Sequence, residues 1–292
     1  MTQTTSPAPF ADLPDAERAD ARAVAALVEP YPRLGVAYSG GVDSAVLLAV
    51  ATRALGREGT VGLLAVSPSL ARDELSLARA TAAEIGAHVV EFETREGENP
   101  AYRANDADRC FHCKDELFTR IDDELAAELG LAAVAYGENA DDAVASDRPG
   151  ARAATRHRVL RPLADAGLTK PRVRALARAL SLSVADKPAA PCLASRIPHG
   201  QEVTPEKLSQ VEAAEEALRS LGFSDCRVRH HGDIARLEVP LSELARFADD
   251  AVRRDALERV RGAGFRYVTV DLAGIQSGAF AAHTLQVVRA RG

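Results

Sequence analysis

The sequence is poor in the residues that mark several protein classes. Tryptophan is absent, methionine occurs once, and four cysteines in 292 residues are too few for a disulfide framework. No apolar run reaches the roughly 18 residues that a membrane-spanning helix needs. The amino terminus has neither the basic nor the apolar region of a secretory signal. These absences favour a cytoplasmic protein without membrane association, whose thiols stay reduced.

Lysine is also scarce, because nearly all of the positive charge is carried by arginine. The four lysines are Lys114, Lys170, Lys187 and Lys207. Lysine and arginine together number 36 against 42 acidic residues, which gives a formal net charge of −6. Such a chain has no general attraction for nucleic acid or anionic membranes, so we expect no nucleic-acid partner. A ligand that carries phosphate must be held by local donors.

Strand and helix patterns alternate over the first two thirds of the chain. Predicted strands at 34–38, 61–66, 88–92 and 132–136 alternate with predicted helices at 17–28, 44–55, 72–85, 114–129 and 173–182. This spacing is typical of βαβ units and predicts an α/β fold, a doubly wound parallel sheet covered by helices on both faces.

A proline- and alanine-rich stretch at 186–200 separates this region from a different pattern. Beyond it we predict helices at 204–221 and 241–261 and strands at 226–229, 234–239 and 265–272. Thr204 and Pro205 supply an N-cap and a first helical residue. We therefore predict a loose tail at 1–14, a nucleotide-binding domain at 15–195 and a smaller α+β domain at 196–292.

The most informative motif is SGGVDS, Ser39–Ser44, between the first predicted strand and the helix that follows. Glycines at Gly40 and Gly41 allow the backbone to approach a ligand closely. Backbone N–H groups at a helix N-terminus bind anions. Ser39 and Ser44 add hydroxyl groups, and Asp43 can hold Mg²⁺. Because the Walker lysine is missing, the motif favours a pyrophosphate group bound by backbone donors.

This loop resembles the SGGxDS motif of the PP-loop ATP pyrophosphatases, which have an adenine nucleotide hydrolase-like fold. The resemblance implies cleavage of ATP between its α- and β-phosphates, adenylation of a substrate and release of pyrophosphate. It also implies that the end of the second strand, Ala65–Ser67, meets the adenosine, with Ser67 as a binding residue. The motif does not identify the substrate.

Three cysteines form a second pattern. Cys110 and Cys113 form a CxxC at the start of a predicted helix, and Cys192 lies in the segment PCLASR. Three thiolates can ligate a [4Fe–4S] cluster with one accessible iron, or a zinc ion completed by His112 or Cys226. A site without metal is the remaining alternative. Cys226 lies in a predicted strand and reads as a core residue.

Cys192 is also a candidate nucleophile. A thiolate beside an adenylated acid would displace AMP and form a thioester. The neighbouring Arg196, or a helix N-terminus, would lower the pKa of such a thiol. Cleavage of the C–S bond would then deliver sulfur to the substrate.

Taken together, these segments resemble the LarE family, sulfur transferases that mature the nickel-pincer cofactor of lactate racemase. The matching segments span nearly the whole chain and are Ser39–Ser44, Arg109–Lys114, Gly137–Asp142, Arg148–Gly150, Lys187–Pro188, Pro191–Arg196, Arg227–Arg236 and Asp271–Leu272. The resemblance implies a pyridinium biscarboxylic acid mononucleotide as substrate, a cysteine thioester and a homo-oligomer. Single-cysteine members sacrifice the residue equivalent to Cys192 as dehydroalanine, whereas members with a CxxC pair are associated with a [4Fe–4S] cluster. We favour the cluster route here.

Other polar residues carry weaker signals. Arg227 and Arg229 alternate onto one face of a predicted strand. With Arg196 they could bind a substrate phosphate, or they could be surface arginines on an edge strand. Glu215 lies at the edge of the apolar stripe of its helix, where it could face a cleft or hold Mg²⁺, or be solvated. Asn139, Asp142 and Asp147 follow a strand end, where α/β proteins bind ligands, and are further candidate site residues.

Three other functions use similar motifs. A PP-loop tRNA thiolase can share the three cysteines but needs an RNA-binding surface, which the net charge opposes. An amide-forming PP-loop ligase with a structural zinc would leave the thiols without chemistry. A non-enzymatic nucleotide-binding protein would show no exchange between ATP and pyrophosphate.

Overall fold

The computed structural model describes residues 9–144 and 149–275. Its helices are α1 Asp15–Val28, α2 Val42–Gly59, α3 Arg72–Ile85, α4 Pro100–Arg103, α5 Arg109–Arg120, α6 Ala126–Glu128, α7 Ala140–Val144, α8 Pro149–Arg156, α9 Pro162–Asp165, α10 Lys170–Ala179, α11 Pro205–Ser220 and α12 Asp250–Gly262. A π-helical segment, Ile121–Leu125, joins α5 to α6. Within the described ranges, no helix combines the length and apolar character needed to cross a bilayer.

The strands form two separate sheets. They are β1 Leu34–Ala37, β2 Thr60–Val66, β3 His88–Glu93, β4 Ala133–Tyr136, β5 Arg227–His231, β6 Ile234–Glu238 and β7 Tyr267–Val270. The first sheet has the order β3-β2-β1-β4 and the second β5-β6-β7. All pairs of the first sheet are parallel, which confirms the predicted fold class.

Most predicted elements are confirmed, with shifts of a few residues at their ends. The predicted helix at 241–261 is wrong as a continuous element. A 3₁₀ segment, Leu241–Ala248, is followed by α12, because the Asp249 side chain accepts the backbone N–H groups of Ala251 and Val252 and starts a new helix there. The short helices α4, α7, α8 and α9 were not predicted, since they are too short for a periodic pattern.

Two compact units divide the chain. The first comprises the chain up to Ser67, Arg72–Glu96 and Cys110–Ala190, and the second comprises Pro68–Ala71, Gly97–Arg109 and the chain from Pro191. The second unit is therefore discontinuous in sequence.

In the first unit, helices cover both faces of the parallel sheet. Leu64 of β2 belongs to a core with residues of α1, α2 and α10. Val61 and Leu63, which point to the opposite face, belong to a second core around Phe118 and Ile121. Successive side chains of a strand point to opposite faces, so β2 is buried on both sides, as parallel strands are.

The strand order places a ligand-binding edge beside β1. The chain runs from β1 to β2 and β3 on one side and then returns to β4 on the other. Open α/β sheets bind ligands at the carboxyl ends of the strands where this order reverses. That point lies between the carboxyl ends of β1 and β4, which are followed by Ser39–Ser44 and Gly137–Asn139.

In the second unit, α11 packs against β5 and α12. The strands β5 and β6 are antiparallel, and β6 and β7 are parallel. The hydroxyl of Thr204 accepts the backbone N–H of Lys207 at 3.4 Å, which confirms the predicted cap of α11. Buried Leu208, Val211 and Leu218 form the apolar stripe of that helix.

Candidate phosphate-binding and thiol sites

The segment Ser39–Ser44 forms a tight loop between β1 and α2. Gly40 has a φ of +72°, and a Cβ there would lie 2.6 Å from the Cβ of Ala78 in α3. Glycine is required for both reasons, since other residues avoid this φ and a side chain would collide with α3. The close approach of α3 fixes the back of the loop.

The hydroxyl of Ser44 fixes the curvature of the loop from inside. Its Oγ accepts the backbone N–H of Ser39 at 3.2 Å and donates to the carbonyl oxygen of Gly41 at 3.0 Å. Among the described residues, the backbone N–H groups of Gly41, Val42 and Asp43 meet no acceptor. Three unpaired N–H groups at the N-terminus of a long helix are able to bind an anion.

Gly137, directly after β4, lies against the loop. A Cβ at this position would be 2.6 Å from the backbone nitrogen of Ser44 and 2.7 Å from the carbonyl carbon of Asp43. Both atoms belong to the backbone and cannot rotate away. The absence of a side chain at Gly137 therefore permits the close contact between the loop and the end of β4.

Asp43 connects the loop to two other elements. One carboxylate oxygen accepts the ammonium group of Lys170 at 2.5 Å, and the other lies 3.5 Å from the Nδ2 of Asn139. The same amide donates to Asp142 at 2.8 Å. Two carboxylates and an amide thus lie in one hydrogen-bonded series. Such oxygens fit Mg²⁺, which uses one or two protein carboxylates and completes its coordination with substrate phosphates and water.

A second lysine, Lys187, also contacts the loop. The ammonium group of Lys187 pairs with Glu74 and lies 3.5 Å from the carbonyl oxygen of Gly40. Its backbone is held by Arg174, which donates to the carbonyl oxygens of Ala185 and Lys187 at 2.6 and 2.7 Å. The carbonyl and the N–H of one trans peptide point in opposite directions. The N–H of Gly41, which belongs to the same peptide as this carbonyl, therefore points away from Lys187.

Sequence reasoning missed Lys170 and Lys187 as parts of this site. Both lie more than 120 residues from the loop in sequence, and neither belongs to a motif with the loop. The scarcity of lysine was the signal that could have found them. Ser67 directly follows β2, and its contact with the adenosine stays a prediction. Asp147 and Arg148 lie outside the described residues.

Cys110 and Cys113 lie in the first turn of α5, with Cys110 exposed and Cys113 half-buried. One residue further, the ammonium group of Lys114 lies 4.7 Å from the centre of the Tyr136 ring, at the end of β4. Across the described residues, no three histidine, cysteine or acidic side chains are grouped to hold a metal ion. The cluster ligated by Cys110, Cys113 and Cys192 stays a prediction.

Cys192 has an exposed thiol and lies directly before a 3₁₀ turn, Leu193–Arg196. The buried guanidinium of Arg196 donates to the carbonyl oxygens of Pro191 and Cys192. It also donates to both carboxylate oxygens of Glu215, at 2.8 and 3.2 Å. Arg196 thus holds the backbone on both sides of the thiol-bearing residue in place.

A buried asparagine holds the other end of this turn. The guanidinium of Arg109 donates to the Oδ1 of Asn105 at 2.5 Å and to the carbonyl oxygen of Ala194 at 2.9 Å. Asn105 is fully buried and has a φ of +56°. Its amide nitrogen lies 3.2, 2.9 and 3.0 Å from the backbone carbonyl oxygens of Ile197, Pro198 and Gln201, which share its two hydrogens. The turn after Cys192 is therefore fixed by two side chains from the segment before Cys110.

Glu215 is buried and not solvated. Besides Arg196, it accepts the backbone N–H of Val228 in β5 at 3.0 Å. The carboxylate therefore joins α11, β5 and the thiol-bearing turn. This geometry suits a positioning role, and direct contact with a ligand stays a prediction.

The two arginines of β5 have different surroundings. Arg227 pairs with Asp225 and donates to the carbonyl oxygen of Cys226 at 2.7 Å. Arg229 is more deeply buried; it donates to Glu238 at 2.8 Å and to the carbonyl oxygen of Ser195 at 3.1 Å. Phosphate binding by either arginine stays a prediction.

Cys226 is a core residue. Burial, reinforced by the neighbouring carboxylate of Glu215, raises the pKa of the Cys226 thiol to about 12. The Sγ lies 3.5 Å from the carbonyl oxygen of Glu215. A thiol with so high a pKa remains protonated at neutral pH and is a poor metal ligand or nucleophile.

Comparisons with known proteins extend over most of the chain. The family model described as asparagine synthase matches residues 17–238. An uncharacterized protein of Synechocystis is 43% identical over 243 residues, which cover 83% of this chain and 90% of that protein. The pyridinium-3,5-bisthiocarboxylic acid mononucleotide synthase of Lactiplantibacillus plantarum is 38% identical over 255 residues, 87% of this chain and 90% of that enzyme. An uncharacterized protein of Methanocaldococcus jannaschii is 25% identical over 237 residues, 81% of this chain and 88% of that protein.

Proposed function

Because this chain belongs to the LarE family of PP-loop enzymes, we propose that it is an ATP-dependent sulfur transferase of nickel-pincer cofactor biosynthesis. The product named for the Lactiplantibacillus relative carries two thiocarboxylic acid groups on a pyridinium mononucleotide. A thiocarboxylate is a carboxylate in which sulfur replaces one oxygen. The corresponding substrate is a pyridinium carboxylic acid mononucleotide, which must be activated before sulfur can enter.

The observation that carries the proposal is the loop with its open N–H groups. A carboxylate oxygen of the substrate attacks the α-phosphorus of ATP, and the bond from that phosphorus to the oxygen bridging to the β-phosphate breaks. Pyrophosphate leaves and an acyl-adenylate remains. The N–H groups of Gly41, Val42 and Asp43 would stabilise the charge that develops on the pyrophosphate. Asp43, with Asp142 linked through Asn139, would hold Mg²⁺, which neutralises phosphate charge when bound.

Cys192 would carry out the second step. Its thiolate attacks the acyl carbon, the bond to AMP breaks, and a thioester forms. Loss of the α-proton of Cys192 to a base and cleavage of its Cβ–S bond then leave sulfur on the substrate and dehydroalanine in the chain. The exposure of the thiol and the clamped backbone around it support this role.

The alternative to this sacrificial route, and the one that we favour, is a [4Fe–4S] cluster held by Cys110, Cys113 and Cys192, in which Cys192 serves as a ligand and keeps its sulfur. Thiolates are the usual ligands of such clusters, and a cluster with three protein ligands can carry an additional sulfide on its open iron. Two of these thiols are exposed and the third is half-buried. A homo-oligomeric state and a cytoplasmic location are further parts of the proposal, inferred from the family and the composition.

Adenylation is tested by formation of AMP and by exchange of labelled pyrophosphate into ATP. We expect both to depend on the mononucleotide carboxylate and to fall at least about a hundredfold in Asp43→Asn, since the charge that holds the metal is removed. Asp250→Asn, on the surface of α12, is the control. Normal exchange in Asp43→Asn would contradict the assignment of the loop.

Sulfur transfer is tested by anaerobic mass spectrometry before and after turnover. A loss of about 34 Da at Cys192 would show sacrificial chemistry, because elimination removes the sulfur with two hydrogens. An unchanged mass together with bound iron would favour the cluster. Cys192→Ser should keep adenylation and lose sulfur transfer, and intact transfer in that variant would remove Cys192 from the mechanism.

A further inference from the structure

The geometry points to a specific role for Lys170: it neutralises Asp43 until nucleotide-bound Mg²⁺ displaces it onto the phosphates. Lys170 is the first residue of α10, and its side chain reaches Asp43 at 2.5 Å across 127 positions of sequence. Its backbone N–H donates to Asp141 at 2.7 Å. The backbone is thus anchored while the side chain, 36% exposed, remains able to move. This inference rests on the proposed function of the loop.

The residue type supports this role. In a chain where 32 of the 36 basic residues are arginine, the position facing Asp43 is lysine. An ammonium group is a compact point charge on a flexible stem, whereas a guanidinium is a rigid fork that holds a carboxylate through two bonds. The neighbouring arginines of α10 are engaged elsewhere, Arg172 with Asp20 and Arg174 with backbone carbonyls. A cation that must leave its partner during the reaction cycle is better supplied by lysine.

The Asp43 carboxylate cannot ligate Mg²⁺ fully while it is paired with the ammonium group of Lys170. Mg²⁺ binds carboxylate oxygens at about 2.0–2.1 Å and demands near-octahedral geometry, while Lys170 already contacts one oxygen of Asp43. The metal alone must therefore compete with the ammonium group. Metal that arrives with ATP brings phosphates, to which the displaced ammonium can donate. Lys170 is thereby a positioning residue for the metal and a phosphate ligand after exchange, and the site prefers the metal–nucleotide complex over the bare metal.

The competition between Lys170 and the metal for Asp43 is tested by binding of Mn²⁺ to the nucleotide-free protein, followed by the electron paramagnetic resonance signal of Mn²⁺. We expect Lys170→Met to bind Mn²⁺ about fivefold more tightly than the wild type, since one competing ion pair is removed. Lys170→Arg should bind Mn²⁺ no more tightly than the wild type, because a guanidinium paired with Asp43 through two bonds is at least as hard to displace. Lys207→Met, which alters a lysine bonded to the Glu202 carbonyl in the second unit, is the control. Circular dichroism checks folding, and Lys170→Gln replaces the methionine variant if that one fails to fold.

Calorimetry with nucleotides tests whether the displaced Lys170 binds the phosphates. We expect Lys170→Met to lose roughly tenfold in affinity for Mg-ATP and little for AMP, because a charge-assisted bond to the β- or γ-phosphate is removed. Equal Mn²⁺ affinity in Lys170→Met and wild type would overturn the inference, and so would an unchanged preference for ATP over AMP. A wild-type protein that binds no adenine nucleotide would overturn the proposed function instead, while the Mn²⁺ comparison would still report on Lys170 and Asp43.

Discussion

At the scale of single residues, the shape of the phosphate loop depends on glycines, which have no side chain. Gly137 lets the backbone of Asp43 and Ser44 approach the end of β4. We expect Gly137→Ala to push the loop out of position, because the new methyl group would meet backbone atoms that cannot rotate away. Overpacking of this kind costs about 1–3 kcal/mol. Exchange of labelled pyrophosphate into ATP should fall at least about tenfold, since the N–H groups would no longer converge.

The matched control is Gly262→Ala, at the end of α12, where a Cβ would meet nothing within 4 Å. That variant should keep both the stability and the exchange rate of the wild type. Exchange at the wild-type rate in a folded Gly137→Ala protein would show that the contact between the loop and β4 is unimportant for nucleotide activation.

The residues of the loop could be predicted from the sequence because they are contiguous. A strand, a glycine turn and a helix leave few ways to arrange Ser39, Gly40 and Ser44. Lys170 and Lys187 could not be found in the same way, since only the folded chain brings their ammonium groups to Asp43 and to the Gly40 carbonyl. The scarcity of lysine was the only indication for Lys170, and Lys187 also belongs to a segment shared with the family, but neither signal shows which partner each lysine contacts.

At the scale of elements, α5 places the CxxC motif in its first turn. Helix geometry brings residues three apart to the same face, so Cys110 and Cys113 can serve one site. If the cluster is present, protein purified without oxygen should be brown and should contain iron. Cys110→Ala should lose that absorption, because a three-thiolate set is reduced to two.

Cys226→Ala is the control for the iron measurement, since its thiol is buried in the second unit and has a raised pKa. It should retain iron at the wild-type level. A colourless, iron-free protein that still transfers sulfur would exclude the cluster and leave the sacrificial route through Cys192.

The start of α12 offers a test of local stability. Asp249 accepts two backbone N–H groups of the first turn, at 2.9 and 3.0 Å. These bonds, with a smaller contribution from the positive charges of Arg253 and Arg254, hold the pKa of the Asp249 carboxyl below its usual value. Asp249→Ala should destabilise the protein, because the first turn of the helix loses its N-cap, and this is measured as a lower denaturant midpoint.

The pH dependence of this effect has a defined sign. A lowered pKa in the folded state means that the carboxylate stabilises the fold above its unfolded pKa and loses this effect as the pH falls through the folded value. The difference between wild type and Asp249→Ala should therefore shrink under acid conditions. Asp255→Ala, exposed on the same helix, should show no such difference, and an equal loss in both variants would contradict the capping role.

Element positions followed from periodicity more reliably than element breaks did. The helix α3 and the strands of the first sheet match their predicted ranges closely because their apolar residues recur with a regular period. The break at Asp249 was missed, since the apolar pattern continues through it and only the capping bonds reveal the new start. The short helices near the carboxyl edge carry too few residues for any period.

At the scale of the whole molecule, the net charge of −6 bears on the rival function of tRNA thiolation. An acidic protein that binds RNA needs a local basic surface, and binding through phosphates weakens steeply with salt. We expect no mobility shift of tRNA at micromolar protein and about 0.15 M salt. A retained shift, lost when arginines of β5 are replaced, would favour the thiolase.

Which segments of the chain make up the second unit could not be predicted from the sequence. The pattern suggested a simple division near residue 195, whereas the compact units are joined by several crossings of the chain, with Pro68–Ala71 and Gly97–Arg109 belonging to the second unit. Such assignments depend on contacts between distant segments, which leave no period and no change in composition. The arginine and asparagine that hold the Cys192 turn lie in one of these segments.

The position of Asn105 requires both a residue that tolerates a positive φ and a side-chain amide of the right length. Glycine would accept its left-handed backbone but would abandon three carbonyl groups, glutamine would carry the same amide on a stem one carbon too long, and aspartate would present oxygen where hydrogen is needed. Of the twenty amino acids, one meets all of these conditions. Saturation mutagenesis at position 105, selected for folded protein, should therefore retain almost only asparagine, whereas the adjoining exposed Asp106 should tolerate many residues.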